Sequence, residues 1–189
     1  QTNRPATIRN HSLFGLSNDA ISCMGIDFTT TAQEYNGATW AAGGVNNTAR
    51  RGQNDGTGLG TGGIVAGGQA PGTPAALTAT ELYDGTSWTE VADANTSRRL
   101  CAGVGSGNSD ALVFGGDTNP SPYTVNTETW DGTSWTEQNN LGQARITPGG
   151  SGSGATSALA FGGNGPGTTR YTNTEQWTAP LANKTITTS

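Results

Sequence analysis

Short apolar runs alternate along the chain with clusters of Gly, Asn, Asp, Ser and Thr. Ala102-Gly103-Val104 is a run of small residues. Ala111-Leu112-Val113-Phe114 is strongly apolar and ends in Gly115-Gly116. Glu128-Thr129-Trp130 sets an acid two places before an aromatic, and Asp131-Gly132 then leads into Ser134-Trp135-Thr136. Thr and aromatic residues suit the pleated, half-buried surface of a strand. Gly, Asn and Asp accept the positive φ that tight turns demand, so Asp-Gly between two such runs signals a hairpin. The pattern predicts four short strands joined by tight turns, and no helix.

The same pattern recurs. The heptapeptide DGTSWTE occurs at 84–90 and again, word for word, at 131–137, 47 positions later. Its flanks repeat with it: Arg50, Arg98 and Arg145 are 48 and 47 positions apart, and Gly67-Gly68, Gly115-Gly116 and Gly162-Gly163 keep the same steps. So do the aromatics Tyr35, Tyr83, Trp130 and Trp177 and the set Trp40, Trp88 and Trp135, while Glu81, Glu128 and Glu175 recur once per unit. A divergent form, NGATWAA at 36–42, keeps the turn glycine and the Trp without the acid. Four strands in a unit of about 47 residues are the mark of a propeller blade. The expectation is an all-β protein: one β-propeller domain of four four-stranded blades, at about 1–42, 43–90, 91–137 and 138–189. In the last unit Ala182 stands where a Trp is expected and Pro180 interrupts the strand, so residues 186–188 are the expected final outer strand. Closure within one chain is the simplest expectation; an arc completed by neighbouring subunits, or a piece of a longer chain, is the alternative.

Arg, then an apolar strand with Gly-Gly, then Glu-x-aromatic, then Trp after a turn resembles the kelch repeat of β-propellers, over nearly the whole chain. The wording TETWDGTSWTE, FGG and LANKTITTS is closest to kelch-like repeat proteins of aquatic phages, cyanophages above all. That resemblance implies a tail-fibre or other virion surface component, hence a virion or extracellular setting. Its implied partners are other virion or filament subunits, copies of itself among them, and host-surface glycans. A non-enzymatic scaffold and recognition protein is the reading that follows. A subunit of an extracellular filament built by propeller–propeller contacts is the alternative, and a secreted carbohydrate-active enzyme is a remote one. Fold alone does not choose between them.

Composition narrows the field. With 189 residues the chain can bury one domain core, and five Trp argue against disorder despite 30 Gly and only 12% charged residues. The net charge of −5, with Lys184 the single lysine, lacks the basic footprint that nucleic acid requires. No apolar run approaches the roughly 18–20 residues that span a bilayer as a helix. The chain begins at Gln1, which fits a processed form or a fragment. Cys23 and Cys101 show no metal or redox spacing and are expected as small buried apolar residues. With one histidine, His11, neither the two-His, two-Tyr copper site of galactose oxidase, which has a kelch propeller, nor a His-based zinc cluster is available. No cofactor, metal or catalytic residue is expected.

Each remaining motif has a structural reading. One Arg and one Glu per unit are expected to pair between strands or blades, because a bidentate pair suits a partly buried seam. The repeated Trp set is expected to fill the wedge between sheets. Gly58 to Gly63 matches GxGxxG, but a strand and not a helix follows, so it reads as a hairpin. The heptapeptide differs from the Asp-box of sialidases, because Asp84 and Gly85 are adjacent. Asn10, Asn46, Asn95 and Asn183 stand in glycosylation sequons. Between units the loops after Gly-Gly vary: QAPGTPAALTA (69–79), DTNPSPYTV (117–125) and NGPGTTRYT (164–172). Variable loops on a rigid frame are where recognition is built, which makes Tyr123, Arg170 and Tyr171 the expected ligand contacts.

Overall fold

Period-two apolar runs separated by turn formers give fifteen strands and no helix among the described residues of the computed structural model, which are 3–4, 9–25, 27–51, 56–119 and 122–179. The first sheet holds β1 (Ser12–Leu16), β2 (Asp19–Cys23), β3 (Thr31–Tyr35) and β4 (Trp40–Val45). The second holds β5 (Thr57–Leu59), β6 (Gly62–Ala66), β7 (Thr80–Tyr83) and β8 (Trp88–Val91). The third holds β9 (Ala102–Gly107), β10 (Asp110–Phe114), β11 (Thr127–Trp130) and β12 (Trp135–Glu137). The fourth holds β13 (Gly149–Gly154), β14 (Ser157–Phe161) and β15 (Thr174–Thr178). Every sheet is an antiparallel meander in chain order. The first strands lie side by side in the order β1, β5, β9, β13. This is a four-bladed, propeller-like all-β arrangement. The unit boundary expected near 42 falls inside β4, and the outer strand expected at 186–188 lies outside the described residues, as do Pro180 and Ala182.

The ring expected to close within one chain is not closed. Among the described residues, the first and fourth sheets each keep one face without a neighbouring blade, with Leu13 49%, Leu159 40% and Phe161 44% exposed.

The repeated turn works through its first side chain. Asp84 Oδ1 accepts from the backbone N–H of Thr86 (2.9 Å) and Ser87 (2.8 Å), and Gly85 takes φ +95°. Asp131 repeats this with Thr133 and Ser134, both at 2.8 Å. In the divergent first unit the Asn36 amide oxygen serves in its place, accepting from Ala38 and Thr39. An oxygen at that position is what the turn needs; the charge is dispensable. The N–H groups of Ser87 and then Thr86 hold the Asp84 carboxyl below its ordinary value, and Ser134 and then Thr133 do so for Asp131.

Blades adhere through apolar wedges. Phe14, Ile21 and Cys23 of the first blade pack on Val65, Tyr83 and Trp88 of the second. Ile64 and Ala66 of the second meet Ala111, Val113, Trp130 and Trp135 of the third. Leu112 and Phe114 of the third meet Ala158, Ala160 and Trp177 of the fourth. Alternate residues of one strand thus serve the blade before and the blade after, which is why β6 and β10 are buried on both faces. Both cysteines are buried free thiols. The GxGxxG stretch is the β5–β6 hairpin.

Candidate functional site

The recurring charges are among the most buried polar groups of the described residues. Arg50 and Glu81 pair at 2.5 Å with both side chains fully buried. Arg98 pairs with Glu128, also fully buried, and Arg145 pairs with Glu175, whose side chain is 21% exposed. Each pair lies within one blade, tying the segment before its first strand to its third strand. Arg50 Nη1 also donates to the carbonyls of Gly67 (2.9 Å) and Ala79 (2.5 Å), and Arg98 Nη1 to those of Gly115 and Asn126. Glu81 accepts from Asn47 and Thr48, and Glu128 from Asn95 and Thr96, residues of the link arriving from the preceding blade. These charges therefore act as structural clamps, although Arg98 Nε, buried within its clamp, has no hydrogen-bond partner among the described residues.

Of the Trp set, Trp88 and Trp135 are buried in the wedges, and Trp135 Nε1 donates across the seam to Thr80 Oγ1 (3.1 Å). Trp40 is half-buried, stacked on Tyr35 on the free face of the first blade. Among the sequons, Asn46 is 2% exposed and the Asn95 amide nitrogen is held by Glu128 and the Trp135 carbonyl, so neither presents its amide for glycosylation in the folded chain. Asn183 lies outside the described residues.

The loops after Gly-Gly behave as one series. Each folds back through a bridge (Gln69 with Ala76, Asp117 with Tyr123, Asn164 with Arg170), and each also bridges the residue that follows the buried Arg: Arg51, Arg99 and Ile146. At the first seam Arg51 reaches back over the ring of Phe28, 4.7 Å from its centroid. At the second, Arg99 bonds Asp117 through Nε (3.1 Å) and Nη2 (2.8 Å) and reaches Gln69 Oε1 of the preceding blade at 2.7 Å. At the third seam the corresponding residue is Ile146, which has neither the length nor the charge to cross. A cavity of about 410 Å³ opens there, lined by Tyr123, Ile146, Asn164, Gly167, Thr168, Thr169 and Arg170.

Two of the three expected contacts, Tyr123 and Arg170, therefore line one cleft. Tyr171 does not: its ring stacks on Arg145, 4.9 Å from the guanidinium carbon, and completes the clamp of the fourth blade. Ile146, Asn164, Thr168 and Thr169 were not expected as individuals. The signal for Ile146 was present in the doublets Arg50-Arg51, Arg98-Arg99 and Arg145-Ile146, whose second member changes once.

Chemically the lining combines an aromatic face, a guanidinium with no ion-pair partner among the described residues, two hydroxyls and an amide. Such a set can cover the apolar face of a small polar ring, bond its hydroxyls and neutralise a carboxylate. Among the described residues no three His, Cys, Asp or Glu side chains converge as metal ligands. No protein-family model matches the chain, and no curated protein matches it.

Proposed function

We propose that the chain is a non-catalytic recognition module of the kelch propeller type, in which clamped blades present the cleft between the third and fourth blades to a glycan. The observation that carries this reading is the change from Arg51 and Arg99 to Ile146: where two seams are sealed by an arginine, the third is left open beneath Tyr123 and Arg170. Arg170 favours sugars bearing a carboxylate. The resemblance of the repeat wording to aquatic-phage proteins supports a place on a virion surface, where a host glycan would be the ligand.

The test is binding of oligosaccharides with and without uronic or sialic acid residues by titration calorimetry. Tyr123→Ala and Arg170→Ala are expected to weaken binding by about tenfold or more each, since each removes a contact of 1.4 kcal/mol or above. Ile146→Arg is expected to seal the cleft as Arg99 seals its own seam, abolishing binding with the fold intact. Binding unchanged in all three variants would overturn the assignment to this cleft, and turnover of any sugar would overturn the non-catalytic reading.

A further inference from the structure

The three seams inside the chain follow one rule, which also describes the two free faces. In strand register, Phe14, Thr57, Val104 and Ser151 occupy one position, each paired with the residue three places before the left-handed pair Met24-Gly25, Gly67-Gly68, Gly115-Gly116 or Gly162-Gly163. This position faces the following blade. Leu13 and Gly150 likewise occupy one position facing the preceding blade, and Gly56 precedes β5 at the same point. Inside the chain the backward residue is glycine (Gly56, Gly103 or Gly150), and the forward residue is Phe14, Thr57 or Val104, each larger than serine. A Cβ on Gly56 would lie 2.3 Å from Phe14 Cδ1, and one on Gly150 3.1 Å from Val104 Cγ1 and Phe114 Cζ.

At the free faces the sizes are exchanged. The forward residue of the fourth blade is the small Ser151, and the backward residue of the first is the large Leu13. The rest of each face keeps its seam-forming character. Leu159 and Phe161 stand where Leu112 and Phe114 pack on the fourth blade, yet are 40% and 44% exposed. Tyr35 and Trp40 form the same tilted pair (5.1 Å) as Tyr83–Trp88 (4.9 Å) and Trp130–Trp135 (5.4 Å), which are buried against a preceding blade. Gly162 has the φ of +62° that matches Gly67 and Gly115. A Cβ at those two would meet the backbone of the next blade at 2.4 and 2.7 Å, whereas at Gly162 nothing from another blade is within 4 Å. The fourth blade is built for a successor and the first for a predecessor, with their bump and hollow matched to each other and to none of the internal seams.

We propose that the free face of the fourth blade docks on the free face of the first blade in a second copy of this chain, and reciprocally, so that two chains close one ring. The interface continues a contact that the chain already makes three times. Its occupant is a second copy because the two faces complement one another and are not joined within the chain. Two sets of four sheets give eight blades, within the range of about 4–8 that propellers adopt. Each seam is head-to-tail, and the twofold closes it so that no apolar face is left over. This inference does not rest on the glycan reading, since none of its residues lines the cleft.

The test uses the full chain. Light scattering coupled to gel filtration, over about a hundredfold range of concentration, is expected to show a dimer. Leu13→Asp and Phe161→Asp should each raise the dissociation constant by about thirtyfold or more, with the far-ultraviolet spectrum unchanged. Mixing those two variants should restore a heterodimer through the one seam left intact. In the double variant Leu13→Cys, Ser151→Cys, oxidation should join two chains, since both native cysteines are buried. A monomer at every concentration, unlimited polymers, or a disulfide formed within one chain would each overturn the proposal.

Discussion

Replacing Arg98 by Met tests whether the blade clamps are structural. Arg98 is fully buried and donates to the carbonyls of Gly115 (3.1 Å) and Asn126 (2.9 Å) as well as to Glu128. Met keeps most of the volume and removes all three bonds. Glu128 then retains only the Asn95 backbone and side-chain amides (2.8 and 3.0 Å) and the Thr96 N–H (3.1 Å) against a buried charge. Breaking a fully buried ion pair from one side costs about 3–5 kcal/mol. Arg145→Met is the internal control, because Glu175 is 21% exposed and water can take over part of the lost interaction. There the cost should be about 1.5–3 kcal/mol, that of hydrogen bonds to a charged group. Urea unfolding followed by tryptophan fluorescence and circular dichroism measures both. With an m-value of about 2 kcal/mol/M, Arg98→Met should lower the midpoint by about 1.5–2.5 M. A shift under about 0.5 M, or an Arg145→Met effect equal to or larger than that of Arg98→Met, would refute the clamp as an energetic element.

Gly63→Ala should destabilise by about 1–3 kcal/mol through overpacking, because the added Cβ would lie 2.1 Å from Phe14 Cε2. Adding Phe14→Leu should recover part of that loss, and strictly additive midpoints in the same urea assay would contradict a steric origin. Burial pushes the Cys23 thiol up to about 12, so it stays protonated in the native state. Neither Cys23 nor Cys101 should then react with an aromatic disulfide reagent at a pH of about 8 until the chain unfolds. Rapid native-state release by Cys23, assigned with a Cys101→Ala variant, would show that the wedge between the first and second blades opens.

The linear sequence determined what depends on local chemistry and on period. Asp-Gly and Asn-Gly turns, strands of alternating character and four markers spaced alike gave four units, because each blade is one meander whose register is set by its own turns. The pairing of Arg with Glu and the packing role of Trp88 and Trp135 were legible for the same reason: a residue that recurs once per blade serves the blade. Tertiary structure decided what depends on how blades meet. No local signal distinguishes Phe161 from Phe114, yet one is exposed and the other buried, because only one has a successor. Tyr171 sits one residue from Arg170, but its ring packs on Arg145 while Arg170 lines the cleft. The cleft itself arises from a side chain that is too short to cross a gap, and that gap exists only where the third and fourth sheets come together.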